Sequence, residues 1–338
     1  MKHEYRRTLP ILLILILAAG CASAPKTDAA AVQKASFPEI WAYLMHGEEK
    51  ELSGDEPITD LCHFSAEINY RGELVPLKPL SPAAKLPAGA RLHYVVADIS
   101  NQAKMHLVLR SDLPFRKKLI TDIAAASASY NGVQIDFESV NPDDRGPFIS
   151  FLEELKTAIA PRMLSAALPA RIAKTNEAFD YAQVAAVCDR VFIMAYDQHW
   201  SGSDPGPVAG DEWCAKVAAY AGSQIPKEKL IMGLPFYGRS WQDKKTSRAW
   251  RYSGIQDLLK KVKPTETDPF QPSFTYKDTI HVTVFYENNR SLLRKAGIYR
   301  QAGAQGVGFW RVGQQPADFW PHIEAANPEA AGKSGGKL

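Results

Sequence analysis

The sequence predicts an α/β fold, namely a (β/α)8 TIM barrel with a small α+β insertion between the seventh and eighth barrel strands. Short apolar runs alternate with stretches of helical spacing, which is typical of a parallel sheet flanked by helices. Eight such runs lie between residues 40 and 310, and this number at this chain length favours a closed barrel. The interval between the last two runs is much longer than the others and carries its own strand-like and helical segments.

Each predicted barrel strand is a short apolar run. The eight runs cover residues 40–45, 58–68, 91–99, 131–138, 163–169, 190–196, 230–237 and 306–310. Between them, apolar residues recur every three or four positions over residues 115–129 and 148–159, and a further helix is predicted near 292–301. The strands therefore alternate with helices along most of the chain.

The N-terminus predicts a lipoprotein leader. Three basic residues precede an apolar run over residues 11–19 that is too short to span a bilayer, which is typical of a signal peptide over residues 1–20. The run ends at Cys21 in a sequence that resembles a bacterial lipoprotein box, although Ala18 stands where Leu is usual. We expect an acylated Cys21 that anchors the chain to the outer or cytoplasmic membrane, facing the periplasm or the exterior. The alternative is an ordinary cleaved signal followed by a chance cysteine.

The rest of the chain divides by composition. Residues 21–37 are rich in Ala, Lys, Ser and Pro and predict a flexible tether, residues 38–325 the barrel with its insertion at about 242–290, and residues 326–338 a disordered tail. The cysteines at 62, 188 and 214 match no metal-binding pattern, so we expect buried thiols, with a disulfide left open. The formal net charge is only +3, which argues against a nucleic-acid partner. We predict no cofactor, no metal site and a monomer.

The fourth predicted strand carries the most informative pattern. Apolar residues alternate with Gln134, Asp136 and Glu138, so these three side chains share one face of the strand. Carboxylates two positions apart lie roughly 6–7 Å apart at the backbone, and like charges that close raise one pKa where water is excluded. A carboxyl group that stays protonated is what a general acid needs. The alternative is a strand face that is simply solvated.

This stretch resembles the Asp-x-x-Asp-x-Asp-x-Glu signature of glycoside hydrolase family 18, the chitinase-like barrel enzymes that include spore-cortex hydrolases. Asp136 and Glu138 match the last two acids of the signature, whereas Asn131 and Gln134 replace the first two. Segments at 168–171, 194–197, 205–207, 233–241 and 308–313 also resemble elements of the family, in the same order. The resemblance covers residues 39–322 and implies that the insertion forms one wall of a substrate cleft.

The resemblance implies a role for each site residue. Glu138 would protonate the leaving oxygen and later activate water, Asp136 would orient the substrate's acetamido group, and Tyr196 would hydrogen-bond the acetamide oxygen. Asp197 would hold substrate or water, and Trp310 would form an apolar floor. The further substrate-binding candidates are Gln134, Met194, Tyr43 and Arg239. Gln134 can also hydrogen-bond Asp136, and Arg239 alternatively pairs with an acid. Tyr43 either lines the cleft or packs in the core with Trp41.

The implied function is hydrolysis of β-linked N-acetylglucosamine-containing glycans, either chitin-like or peptidoglycan, by a retaining and substrate-assisted mechanism. The enzyme would be a chitinase or an endo-β-N-acetylglucosaminidase-like glycosidase. The alternative is a catalytically silent, lectin-like surface lipoprotein on the same fold. Lectin-like members usually lose the catalytic glutamate, which is present here. The enzymatic interpretation requires a buried acid at Glu138, supported by Asp136 and close to Tyr196.

Overall fold

The computed structural model describes residues 34–99, 101–242, 246–262, 264, 268–277 and 280–326. The predicted leader, the lipidation site at Cys21, most of the predicted tether and the predicted tail beyond residue 326 lie outside this range. Within it, no helix combines the length and the apolar character that a membrane-crossing segment requires.

The described part of the chain contains fifteen strands and seven α-helices. In chain order the strands are β1 (Ala35–Phe37), β2 (Glu39–Met45), β3 (Asp60–Ile68), β4 (Leu74–Val75), β5 (Arg91–Asp98), β6 (Gly132–Phe137), β7 (Met163–Pro169), β8 (Arg190–Met194), β9 (Leu230–Pro235), β10 (Gly238–Gln242), β11 (Thr246–Trp250), β12 (Ser273–Lys277), β13 (His281–Phe285), β14 (Gly306–Trp310) and β15 (Ile323–Ala325). The helices are α1 (Gln102–Leu109), α2 (Pro114–Ala126), α3 (Arg145–Ile159), α4 (Tyr181–Val187), α5 (Asp211–Gln224), α6 (Tyr252–Val262) and α7 (Asn289–Gln301).

Eight of these strands close into a parallel barrel, which confirms the predicted fold class. The order around the barrel is β2-β3-β5-β6-β7-β8-β9-β14, and β14 pairs again with β2. Strands β7 and β14 have the predicted bounds, and the predicted helix over 148–159 begins three residues earlier, at Arg145. Because all eight strands run in the same direction, their carboxyl ends meet at one end of the barrel, where such folds place their active sites.

Large side chains fill the barrel interior. The central cluster contains Trp41, Tyr43, Cys62, Val95, Ala167, Phe192 and Ile231, and every one of these residues is at most 1% exposed. A β-carbon at Gly308 would lie 2.1 Å from the Phe192 ring, so only glycine allows this ring to fill the space between β8 and β14. Outside the barrel, Phe137 of β6 packs against Phe151 of α3, with 5.5 Å between the ring centroids. The apolar residues of strands and helices therefore form two layers around the wall of the barrel.

The insertion between β9 and β14 is a small α+β unit, as predicted. Its antiparallel sheet has the order β11-β10-β13-β12, and residues of helix α6 pack on the apolar cluster of this sheet. The unit starts at Gly238, only three residues after β9 ends, rather than near residue 242. Consequently β10 begins at the carboxyl end of the barrel, next to the predicted site.

The predicted tether is shorter than the composition suggested. Residues 35–37 form β1, which pairs in parallel with β15 near the end of the described chain. Phe37 is 1% exposed, and its carbonyl accepts a hydrogen bond from the Ala326 amide at 2.7 Å. Burial of this ring and pairing with β15 stabilise an extended segment that local composition alone does not indicate. The three cysteines that follow Cys21 are buried free thiols, as predicted.

A charged network lies at the amino ends of two neighbouring barrel strands, β3 and β5. Asp60 is fully buried and accepts two hydrogen bonds from the Arg91 guanidinium, at 2.7 and 2.8 Å. The His93 ring, also fully buried, lies 2.7 Å from the same carboxylate through Nε2. Burial opposes ionisation of Asp60, but the hydrogen bonds from His93 and Arg91 outweigh it and hold the pKa of Asp60 below its ordinary value. His93 therefore has a structural role.

Candidate active site

Three barrel strands bring predicted catalytic and substrate-binding residues to the same end of the barrel. Glu138 follows β6 directly, and its amide donates to the Asp98 carbonyl of β5 at 2.8 Å. Tyr196 lies two residues after β8, and Trp310 is the last residue of β14. The charges of Asp136 and Glu138 both act on the Tyr196 hydroxyl, so the two acids and the phenol form one electrostatic cluster.

Asp136 is the buried acid of this cluster. Its residue surface is 3% exposed, and its Oδ1 atom has no hydrogen-bond partner within the described part of the chain. Burial, and then the charge of Glu138, raise the pKa of Asp136 well above its ordinary value. A buried carboxyl oxygen without a partner is costly in a folded protein, and such sites are often functional. Asp136 therefore offers a free acceptor atom beside the predicted general acid.

Glu138 is exposed, so the prediction of a buried acid at this position is wrong. The physical reason is that β6 ends at Phe137, and Glu138 lies beyond the sheet where the strand wall no longer covers it. Enough protein surrounds the carboxyl for partial desolvation to raise the pKa of Glu138, and the charge of Asp197 raises it further. This position combines access for a substrate with a raised pKa, which are both needed in a general acid.

Tyr196 is half-buried beside the two acids. Burial raises the pKa of its hydroxyl well above the ordinary value, and the charges of Asp136, Asp197 and Glu138 raise it further. The hydroxyl therefore stays protonated at neutral pH and can donate a hydrogen bond. Its ring packs edge-on against Tyr237, with the ring centroids 6.3 Å apart.

Gln134 and Tyr43 lie beneath the cluster and not on its surface. Both residues are at most 1% exposed, and the Tyr43 hydroxyl donates to Gln134 Oε1 at 2.6 Å. The Gln134 Nε2 atom has no hydrogen-bond partner among the described residues, so the predicted hydrogen bond from Gln134 to Asp136 is not formed. With no exposed surface, Gln134 and Tyr43 do not present a face to a sugar, and they support the floor on which Asp136 stands.

Asp197 and Arg239 form an ion pair at the edge of the cluster. Arg239 Nη2 donates to Asp197 Oδ1 at 2.9 Å, which confirms the predicted pairing of this arginine with an acid. Asp197 has a φ of 56°, a left-handed conformation that few residues other than glycine, asparagine and aspartate adopt readily. Because Arg239 belongs to β10, this pair connects the insertion to the end of β8.

Trp310 forms an aromatic surface next to these groups. Its ring centroid lies 5.1 Å from that of Tyr43 and 4.8 Å from that of Phe64, and the residue is half-buried. Met194, also half-buried, packs against the same interior cluster. The structure thus places both predicted substrate-binding residues at the top of the barrel core, with part of each exposed.

The structure shows a set of charged contacts beside Trp310 that the sequence patterns do not predict. The Glu48 carboxylate, in the loop after β2, binds the Arg311 guanidinium and also Arg251 of the insertion, the latter at 2.5 Å. Arg251 contacts Glu51 as well, at 3.3 Å. No periodicity marks such loop residues, because their partners lie some two hundred residues away in the sequence.

The carboxyl end of this TIM barrel thus carries a carboxylate pair, a protonated phenol and a partly exposed aromatic ring. The sequence model of Glycosyl hydrolases family 18 matches residues 100–315 of this chain. The chain belongs to this family.

Curated relatives and solved structures agree with this assignment. The chain is 31% identical over 224 residues to the uncharacterized glycosylase YvbX of Bacillus subtilis, covering 62% of this chain and 64% of YvbX. It is 27% identical over 286 residues to the cortical fragment-lytic enzyme of Bacillus cereus, covering 78% and 66%. The crystal structure of the Bacillus cereus spore cortex-lytic enzyme SleL superimposes with a TM-score of 0.75 at 26% identity, covering 87% of this chain and 76% of that one. The chain thus spans about two thirds of the length of these curated relatives.

Proposed function

We propose that this protein hydrolyses β-linked N-acetylglucosamine-containing glycans with retention of configuration, and that the acetamido group of the substrate is the nucleophile. The observation that supports this proposal most directly is the placement of Asp136. It is buried, one of its oxygens is free, and it shares an electrostatic cluster with Glu138 and Tyr196.

The two carboxyl groups are too close in sequence for the usual two-carboxylate scheme. Most glycosidases place an acid and a second carboxylate on opposite sides of the scissile bond. Asp136 belongs to β6 and Glu138 follows directly after the end of that strand, two positions further on, so they approach a sugar from the same side. A nucleophile supplied by the substrate removes the need for a carboxylate on the far side.

In the first step, the acetamide oxygen attacks the anomeric carbon while the bond to the leaving oxygen breaks. Glu138, whose raised pKa favours its acid form, gives its proton to that leaving oxygen. The free Asp136 oxygen accepts the acetamide N–H, holds the group in line and balances the positive charge that develops on it. The Tyr196 hydroxyl donates to the acetamide oxygen and positions it.

In the second step, a water molecule attacks the anomeric carbon and the bond to the acetamide oxygen breaks. The Glu138 carboxylate formed in the first step takes the proton of that water and is thereby restored to its acid form. Two inversions at the same carbon give net retention. Trp310 would lie under the apolar face of the sugar, which is the usual way an aromatic ring holds a pyranose.

We further propose that the substrate is a bacterial cell-wall glycan and that the protein acts in the cell envelope, held there through Cys21. The names of the related cortical fragment-lytic enzyme and spore cortex-lytic enzyme support a cell-wall glycan ahead of chitin. Chitin oligomers, which contain the same N-acetylated sugar, provide the comparison substrate.

The decisive experiment is Glu138→Gln, assayed by fluorophore release from an N-acetylglucosamine oligomer glycoside and by fragment release from peptidoglycan. We expect kcat to fall by at least about 10³-fold, as for loss of a general acid. Glu153→Gln is the matched control, because Glu153 is an exposed glutamate on the outer side of α3. This variant should keep wild-type rates.

Circular dichroism and the Tm should be unchanged in Glu138→Gln, since the residue is exposed and its side chain forms no hydrogen bond within the described part of the chain. Full hydrolysis by a folded Glu138→Gln variant would remove the proposed acid. Tight binding of oligomers by the wild-type protein without any product at any pH from 4 to 9 would support a lectin instead. The ratio of the two substrates' kcat/KM values identifies the preferred glycan.

A further inference from the structure

A second cluster of polar side chains lies outside the proposed catalytic residues, between the first two barrel strands. His46 follows β2, Glu49 begins a short 3-10 helix in the next loop, and His63 belongs to β3. One candidate ligand atom from each of the three lies within 4.8 Å of the others, and no other triplet of His, Cys, Asp or Glu in the described residues meets this criterion. His46 Nδ1 and Glu49 Oε1 are 3.9 Å apart, too far for a hydrogen bond.

His63 supplies the strongest indication of a ligand. The residue is fully buried, and its Nδ1 lies 2.8 Å from the Tyr130 hydroxyl. Its Nε2 has no hydrogen-bond partner in the described part of the chain, and a buried polar atom of this kind costs about 1–3 kcal/mol unless something binds it. A histidine held by an oxygen through one nitrogen, with the other nitrogen free, has the usual arrangement of a metal ligand.

We propose that His46, Glu49 and His63 bind a zinc ion. Two imidazoles and one carboxylate form a ligand set that zinc accepts, with the fourth position left to water. Zinc ligands at about 2.0–2.1 Å in a tetrahedron lie about 3.4 Å apart. The His46–Glu49 separation of 3.9 Å must therefore close by about 0.5 Å, and the other two separations, which are at most 4.8 Å, by no more than about 1.4 Å. The His46 side chain is 38% exposed, so the movement involves a ring at the surface and not one in the core.

The protonation state of the buried ring agrees with this assignment. Burial and the neighbouring His46 lower the pKa of His63 to about 4, so the ring is neutral near pH 7, and the neutral form is the one that binds metals. Glu49 also has a lowered pKa, because hydrogen bonds from backbone amides and the charge of His46 outweigh the effect of its burial.

The ion would fix the loop that borders the substrate cleft. The His46 amide donates to the Phe64 carbonyl at 2.9 Å, and the Phe64 ring packs against Trp310. In the same loop, Glu48 binds Arg311 and Arg251. Zinc would therefore brace the first two barrel strands, the insertion and the aromatic floor against one another, and it would take no part in proton transfer.

The test is a titration of the tag-free, full-length protein with Zn²⁺ in competition with a chromophoric chelator. We expect one zinc ion per chain, and affinity at least about tenfold weaker in His46→Ala and in Glu49→Gln. His322→Ala is the matched control, because His322 Nε2 lies 4.0 Å from an Asp318 carboxylate oxygen but belongs to no group of three candidate ligands among the described residues. This variant should bind zinc as the wild type does.

A stability measurement gives an independent readout. At a zinc concentration one hundred times the Kd, the Tm of the wild type should rise by about 5 °C, and that of His46→Ala should not change. His63→Ala removes a fully buried ring and is expected to destabilise the fold by itself, so the conclusion depends on the variants at His46 and Glu49. Absence of stoichiometric binding, or wild-type affinity in either of these two variants, would overturn the proposal. Zinc binding is measured without a glycan, so its failure would leave the proposed hydrolysis untouched.

Discussion

Restoring the missing acid of the family signature with Gln134→Glu tests the electrostatics of the site most directly. Position 134 is fully buried and shares a strand face with Asp136, whose pKa burial and the charge of Glu138 already raise. A second carboxylate on the same face disfavours the ionised form of Asp136. Asp136 must be ionised to balance the positive charge on the acetamide, so the acidic limb of the pH profile should move to higher pH.

The geometry of β6 sets the size of this effect. Residues two positions apart on a strand are separated by about 6.6 Å. At that distance, two unit charges in a medium with an effective dielectric constant of about 20 repel by roughly 2.5 kcal/mol, which corresponds to about 1.8 pH units. The pKa read from the acidic limb then belongs to the pair of carboxyl groups at positions 134 and 136 and not to either group alone. We expect a displacement of between about one and two pH units.

The assay is kcat/KM as a function of pH on the fluorogenic oligomer. Gln134→Met is the matched control, since it keeps the length of the side chain, adds no charge and removes the acceptor for the Tyr43 hydroxyl. The free energy of unfolding of Gln134→Met should be about 1–3 kcal/mol lower than that of the wild type, because the Tyr43 hydroxyl is left without a partner. The acidic limb of its pH profile should stay at the wild-type position. If the acidic limb of Gln134→Glu lies at the same pH as that of the wild type, or at a lower pH, the proposed role of Asp136 is refuted.

Two further predictions concern the fold and the leader. Asp60→Asn should lower the free energy of unfolding, measured in urea, by about 3 kcal/mol, because Arg91 and His93 lose the buried carboxylate that binds them both. A loss below about 1 kcal/mol would contradict this account. Since the folded-state pKa of Asp60 is lowered, the wild-type advantage should be complete above about pH 4 and should decline as the pH falls through that lowered pKa. Cys21→Ser should abolish labelling by radioactive palmitate and release the protein from the membrane fraction of a bacterial host, whereas retained label would place the lipid elsewhere.

Local sequence patterns were sufficient to predict the barrel fold and the strand that carries the catalytic acids. Eight apolar runs with helical stretches between them are a property of neighbouring residues, so the strand order and the bounds of β7 and β14 followed directly from the sequence. The alternation at Gln134, Asp136 and Glu138 likewise fixed which side chains share a face. One local inference failed, namely the burial of Glu138, because periodicity does not show at which residue a strand leaves the sheet.

Which polar atoms have hydrogen-bond partners became known only from the closed barrel. The hydroxyl that binds Gln134 comes from Tyr43, which lies 91 residues earlier, and the cluster of His46, Glu49 and His63 forms because β2 pairs with β3. The contact of Glu48 with Arg311 depends in the same way on the closure of β14 onto β2. The sequence by itself therefore determined the fold and the candidate acids, since these depend on short-range periodicity. Tertiary structure alone determined the free oxygen of Asp136, since its surroundings come from distant segments that meet only when the barrel closes. It also determined the exposure of Glu138, since that depends on where β6 leaves the sheet.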